Sequence, residues 1–541
     1  MLFAKHQNIL DKAVKASHER TFYAQYPEHP KAYGEEAPAA GEAAFKAMLG
    51  QPFDRLLQDS DNWQGEEVSP YTLEPLKVSY PIVPADALVI AAKEAGKKWA
   101  KLPVTERAAI LAETLEAITK HFFEIAYATM HTTGQSYMMS FQASGPHAND
   151  RALEAIAMGY QELQRYPGQL TWEKPMGKSS IKLDKHFKAV PKGVGLVIGC
   201  STFPVWNSLP GLYADLVTGN AVIVKPHPKA VLPIAIVVAA IQKVLQENGV
   251  DPLLCQLAAD TSEHLNTKEL CEHPDVTLID YTGGSAFGDY VEQLRGKTVF
   301  TEKAGVNSVI IDSAPDMDAM AQNLAFAVSL YSGQMCTAPQ NFFIPANIYD
   351  EVAGKIRDAV SALVNNPKMG AGTLGAVQSE VTFKRAQEAG ALGAKVLLGG
   401  GPVNNEEFGK ARTCSPTILE TTAEEQNVYA RELFGPVILL VRTKDTAESI
   451  QLAKEMARKH GAITCAAYTT NAAVQAEIEE EMNSVFTPVS FNFTGFIWVN
   501  QHAAFSDFHV TGGNPAGNAS FTNPEFILKR FVWIGNRTQV N

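Results

Sequence analysis

The chain has 541 residues, 46% of them hydrophobic and 19% charged, a balance that supports more than one buried core and excludes disordered or fibrous classes. A formal net charge of −12 with a pI near 5.6 and no basic run repels phosphate backbones and anionic lipid, so neither nucleic acid nor a membrane surface is an expected partner. Six cysteines without CxxC spacing argue against a zinc site or a disulfide framework and fit a reducing, cytoplasmic location.

The first twenty residues are charged and helix-like and lack the apolar segment and cleavage site of a secretory signal. Residues 1–80 carry many Pro, Gly and acidic residues with short helical pieces, and are expected to wrap on the main body as an extension. From Pro84 to about Leu163, apolar residues such as Ala87, Ala91, Ala95 and Trp99 recur at three and four, which predicts amphipathic helices. Between Gly168 and Val190 the pattern alternates at period two around Pro175 to Gly177, which predicts a projecting β-hairpin. From Gly193 to Asp312, the runs VGLVIG, AVIVKP, VTLIDYTGG and NSVIID alternate with helix-length segments, as βαβ units on a parallel sheet do. Within them Ala230 to Ile241 is shorter than the ~20 residues of a membrane span and reads as a buried helix.

A second alternating series follows Asp316, with the runs NFFIP, KVLLGG, PVILLV and ITCAAYTT. The final ILKRFVWIG can return as a strand beside the hairpin. The expected fold class is α/β. A Rossmann-type cofactor domain takes 81–167 and 191–305, an α/β catalytic domain 306–495, and a small β oligomerisation arm 168–190 and 496–541.

Five short segments can carry chemistry. Thr282 to Gly288 is a glycine-rich strand-to-helix turn whose free N–H groups suit a dinucleotide phosphate, with Gly283, Gly284, Ser285 and Gly288 as candidates. Lys225 ends a buried parallel strand, where α/β sheets bind ligands. Cys336, in Gly333-Gln334-Met335-Cys336, is a candidate nucleophile. Glu302 is a carboxylate beside apolar strand residues, suited to proton transfer. Glu432 and Phe434, in Glu-Leu-Phe-Gly-Pro, offer an acceptor for ribose hydroxyls and an aromatic face for a nicotinamide. Taken singly, each also reads as a tight turn, a solvated lysine, a buried thiol or a strand-end carboxylate.

Together, in this order, the five segments resemble the aldehyde dehydrogenase superfamily from about Pro84 onward, including the separation of 34 residues between Glu302 and Cys336. The resemblance implies that Cys336 adds to an aldehyde, that hydride passes to NAD(P), and that Glu302 activates the water that hydrolyses the thioester. Three departures stand out. Thr202 occupies the place of the family's oxyanion-hole Asn, Ala304-Gly305-Val306 replaces Gly-Gly-Lys after the base, and Pro228 replaces a ribose-binding Glu. That last change, with Lys225, His227 and Lys229 nearby, favours NADP while leaving NAD open, although His227 itself reads rather as a surface-loop residue.

A narrower resemblance, carried by the N-terminal extension, Gly199 to Asn207 and Ala504 to Gly512, is to PaaN-type enzymes of bacterial phenylacetate degradation. It implies a ring-cleavage semialdehyde held as a CoA thioester. As this chain ends at Asn541, a separate enoyl-CoA hydratase is expected to supply it. It further implies a homodimer or homotetramer. Two alternatives stay open: a CoA-acylating aldehyde dehydrogenase, and a catalytically silent nucleotide-binding scaffold.

Overall fold

The strands Val194–Ile198 and Ala221–Lys225 are buried at every position, as strands covered on both faces must be. With Cys255–Leu257, Val276–Gly283 and Thr298–Lys303 they form a five-stranded, all-parallel sheet. In spatial order it runs 255–257, 221–225, 194–198, 276–283, 298–303, so chain order reverses between the third and fourth strands. A cleft at the carboxyl ends of the strands follows from that switch point. The helix Leu232–Glu247, apolar through Ile241 and with Pro233 in its first turn, is buried against this sheet over that stretch, as its sequence predicts. The computed structural model describes residues 2–303, 305–497, 504–505 and 523–540. Ala304 and Ser506 to Gly512, which the sequence comparison above drew on, lie outside the described residues.

A second sheet of seven strands is ordered Lys395–Leu398, Thr417–Thr422, Val437–Thr443, Asn341–Pro345, Ser308–Ile311, Cys465–Tyr468, Val489–Phe491. Only its first strand is antiparallel. Apolar clusters cover both of its faces. The hairpin forms from Gln169–Met176 and Ser179–Pro191, and its turn falls at Gly177 and Lys178, slightly beyond the expected place. Pro175 is tolerated inside the first of these strands because that strand is the sheet edge. Phe531–Val540 pairs antiparallel with the hairpin, as its sequence suggests. This sheet exposes Trp172, Ile181, Val532 and Ile534.

The N-terminal segment is not separate from the rest. Leu10, Ala13 and Phe45 are buried in the same cluster as the five-stranded sheet, and helix Leu2–Glu19 packs on helices Val104–Thr119 and Ala148–Leu163. Among the described residues no helix is long and apolar enough to cross a membrane.

Arg530 ties the C-terminal strand to the first sheet. Fully buried, it donates from Nη1 to Asp215 (2.7 Å) and from Nη1 and Nη2 to Asp280 (2.7 and 2.6 Å), and lies over the rings of Phe300 and Phe526. Removing one partner of a buried ionic cluster strands the other charges. Arg530→Met is therefore expected to cost about 3–5 kcal/mol in chemical unfolding; a loss below about 1 kcal/mol would show that the cluster contributes no more than an ordinary hydrogen bond.

Candidate active site

Asp316 caps helix Met317–Ser329 by accepting from the N–H groups of Asp318 and Ala319, which sets where the following loop begins. The chain then turns through three left-handed residues, Tyr331 (φ 51°), Ser332 (φ 50°) and Gly333 (φ 65°). For Tyr and Ser this conformation costs on the order of 1 kcal/mol each. Tertiary bonds hold it: Tyr331 OH donates to Thr133 O at 2.6 Å, and Ser332 Oγ to Leu374 O and Cys414 O at 3.0 and 3.2 Å. At Gly333 a β-carbon would lie 2.6 Å from the carbonyl oxygen of Gly435, so no other residue fits. The Gly-Gln-x-Cys and Glu-x-Phe-Gly-Pro segments are thus in direct backbone contact.

Beyond that contact the loop presents Cys336. Asn307 Nδ2 donates to the carbonyls of Cys336 and Ala338 (2.7 and 3.0 Å), and its Oδ1 accepts from the N–H groups of Ile463 and Thr464 (3.0 and 3.2 Å). Glu302 projects to the same place from the next-to-last position of strand Thr298–Lys303 and is 1% exposed. Alternation along the strand turns Lys303 the other way, onto Asp289 and Glu292, both at 2.9 Å. Burial pushes the Cys336 thiol well up, and the negative charge of the adjoining Glu302 carboxylate pushes it further. Arg151 opposes this. Its buried guanidinium lies 3.6 Å over the Trp206 ring and donates to Trp206 O. In the free protein the thiol therefore carries its proton at neutral pH, with a carboxylate beside it to receive that proton.

Cys336 stands between two cavities. One, of about 900 Å³, opens at the carboxyl ends of the five-stranded sheet, where Ile198, Lys225, Gly283 and Lys303 end their strands. Thr202, Gly284, Ser285, Glu302, Glu432 and Phe434 also line it. The other, of about 290 Å³, is lined largely by apolar side chains, among them Met138, Met139, Trp206, Phe326 and Leu330. Phe203 and Cys336 line both.

In the larger cleft, helix Ser285–Glu292 begins just after Gly284 and offers its first N–H groups to an anion. Tyr281 OH donates to Gly284 O at 2.8 Å and holds the turn. Gly288 does not line the cleft, contrary to its grouping with the phosphate turn. A β-carbon there would meet Lys303 Cγ at 2.5 Å, so this glycine serves helix-to-strand packing. Lys225 is buried rather than solvated, paired with Asp260 at 2.8 Å and donating to Pro226 O at 2.7 Å. Burial pushes its ammonium down, and Asp260 opposes. His227 lines the cleft rather than the outer surface, and burial, with Lys225 and Lys229 adding to it, pushes its imidazole down to about 4. Burial pushes the Glu432 carboxyl up to about 7, against a hydrogen bond from the Gly305 N–H and the charge of Arg385.

Thr202 is buried, and its loop is fixed by Gln135 Nε2 donating to Thr202 O (2.7 Å) and Gln378 Nε2 donating to Ser201 O (2.8 Å). The neighbouring Cys200 accepts from Asn207 Nδ2 at 3.3 Å and Phe203 N–H at 3.4 Å, a structural arrangement distinct from that of Cys336. Asn307, Arg151 and Asp260 have no local signature. Only Asp260, just past the strand Cys255–Leu257, falls where strand ends in such a sheet meet ligand.

The family model described as "Aldehyde dehydrogenase family" matches residues 66–521. A crystal structure of an NAD-dependent aldehyde dehydrogenase from Burkholderia multivorans superposes with a TM-score of 0.96 at 41% identity, covering 100% of this chain and 99% of that one. Vanillin dehydrogenase of Corynebacterium glutamicum is 25% identical over 92% of this chain and 99% of its own length. Succinate-semialdehyde dehydrogenase [NADP(+)] of Deinococcus radiodurans is 26% identical over 85% and 94%.

Proposed function

Since the chain belongs to the aldehyde dehydrogenase family and is an NAD(P)-dependent oxidoreductase of aldehydes, we propose that it converts an aldehyde with an uncharged, apolar tail to the free acid through a Cys336 thioester. One observation carries this reading: a thiol beside a buried carboxylate, at the junction of a polar cleft and an apolar chamber.

The cleft fits a dinucleotide. It lies at the switch point of a parallel sheet and ends at a helix N-terminus, with an acceptor (Glu432) and an aromatic ring (Phe434) on its wall. NADP or NAD, when bound, supplies a hydride acceptor. Lys225, the turn Gly283 to Ser285, Glu432 and Phe434 would hold it. We assign 81–167 and 191–305 to cofactor binding, 306–495 to catalysis, and 168–190 with the C-terminal strand to subunit association.

Glu302 takes the Cys336 proton, the sulfur adds to the aldehyde carbon, and Thr202 Oγ1 with the Cys336 N–H donates to the resulting oxyanion. A hydroxyl in place of an amide offers one donor on a shorter arm, so the backbone N–H carries more of that charge. Collapse with loss of hydride leaves an acyl group on sulfur. Glu302, having passed the first proton to solvent, then accepts a proton from the water that attacks the thioester; that proton returns to the departing sulfur, and the acid leaves a restored Cys336 thiol. The apolar lining supports an uncharged tail, as does the resemblance to vanillin dehydrogenase, named for an aromatic aldehyde. A ring-cleavage semialdehyde carried as a CoA thioester presents such a chain at its reactive end.

The test is product analysis over a panel of aldehydes with NADP and NAD, with and without free CoA. Free acid in the absence of CoA is expected, with kcat/KM for hexanal or benzaldehyde at least about 10-fold above that for succinic semialdehyde, whose carboxylate loses its hydration in an apolar wall. An obligatory requirement for CoA would replace hydrolysis by thiolysis as the second half-reaction. Preference for the charged semialdehyde would overturn the substrate class.

A further inference from the structure

The wall of the apolar chamber contains a π-helical turn, Ala143–His147, set between the α-helices Tyr137–Gln142 and Ala148–Leu163. Gln142, Ala143 and His147 from this stretch line the chamber, and Ala143 packs with Trp206 and Phe203 on its floor. A π-turn carries one residue more than an α-turn and bulges outward, and Pro146 within it has no N–H to bond back. Such a turn holds one shape only where something outside it fixes it.

Glu28 stands at that place. Its Oε2 lies 2.8 Å from His147 Nε2, and its carbonyl oxygen accepts from Gln142 Nε2 at 3.5 Å, so one residue grips the bulge on either side. The segment that carries Glu28 is itself anchored. The Gln25 N–H donates to Asp150 Oδ1 at 3.0 Å, Tyr26 and Tyr33 set their rings edge-on to Phe122, and Tyr33 OH donates to Pro27 O at 2.8 Å. On the N-terminal side of these contacts, Gln25, Tyr26, Glu28 and Tyr33 all precede residue 66, where the match to the family model begins.

We propose that Glu28 is a positioning residue for the aldehyde, clamping the π-helical wall of the chamber through His147 and thereby making the N-terminal segment a determinant of substrate specificity. The inference rests on the reading of the apolar chamber as the aldehyde site. Glu28 acts through His147 and touches neither cofactor nor Cys336, so its removal loosens the fit of long or aromatic tails. Two-carbon aldehydes, which end short of the wall, are indifferent to it.

The experiment measures kcat and KM for benzaldehyde and acetaldehyde at saturating NADP in wild type, Glu28→Ala, Glu28→Gln, His147→Ala and the Glu28→Ala/His147→Ala double variant. The Glu28 side chain is half exposed, so these variants should fold. Glu28→Ala is expected to raise the benzaldehyde KM about 10-fold with kcat within about twofold and acetaldehyde little changed, while Glu28→Gln, which keeps an acceptor oxygen, retains the wild-type KM. In the His147→Ala background the Glu28→Ala effect is expected to vanish, as coupled residues require. An unchanged benzaldehyde KM in Glu28→Ala, an equal rise for both aldehydes, or an effect that persists in the His147→Ala background overturns the clamp. A wild-type protein that oxidises neither aldehyde instead overturns the reading of the site beneath it.

Discussion

Cys336→Ala is expected to lower kcat for aldehyde oxidation by about four orders of magnitude or more, with cofactor affinity unchanged within about twofold. The magnitude follows from what the sulfur does. Without it no thioester forms, and the hydrated aldehyde must lose hydride directly from a site built to hold a covalent adduct. Cofactor affinity survives because the cleft is shaped by strand ends and by the turn at Gly284, and Asn307 grips the Cys336 carbonyl, which alanine keeps. Stopped-flow turnover and titration of cofactor fluorescence check the two halves separately. Steady-state activity within about 100-fold of wild type would remove Cys336 as nucleophile.

Glu302→Gln is expected to release about one equivalent of reduced cofactor per site in a burst and then turn over slower than wild type by about two to four orders of magnitude. The amide keeps the shape of the side chain but cannot take a proton from water, so deacylation stalls. Acylation loses the carboxylate that takes the thiol proton, but a compensating change on the sulfur offsets that loss. Burial and the Glu302 carboxylate together hold the Cys336 thiol well up, so deleting that negative charge lowers the thiol pKa and lets more thiolate form at a given pH. The burst rate should accordingly rise with pH and reach its plateau earlier than in wild type. Loss of the burst at every pH would mean that the thiol proton can leave through Glu302 alone, even when hydroxide is abundant.

What could be read in the sequence was local chemistry. The switch from apolar strand to glycine turn to helix at Val276 to Glu292 is visible in order and in spacing, and so is the alternation of the hairpin, whose partner strand ends in a matching run. Glu302 stands out as a carboxylate among apolar strand residues, and Cys336 as a thiol in a loop that a glycine opens. The resemblance to a known family joined them; no feature of either segment alone places one beside the other.

Long-range pairings were not legible. Gly333 needs to be glycine because of Gly435, a hundred residues on, and nothing near either position announces the contact. Lys225 reads as a free cation until Asp260 is seen beside it, and Arg530 as an ordinary basic residue until Asp215 and Asp280 close around it. Gly288 carries the spacing of a phosphate turn but answers to Lys303 instead. The π-turn at Ala143–His147 has no periodic signature, and the contact of its His147 with Glu28 joins positions more than a hundred residues apart.

Peptide mass spectrometry on Glu302→Gln, quenched in acid after one turnover with NADP and benzaldehyde, decides whether chemistry runs through the junction of the two cavities. The added acyl mass should sit on the peptide containing Cys336 and come off with hydroxylamine, as a thioester does. Acyl mass on Cys200, or turnover with neither cysteine modified, would contradict that placement.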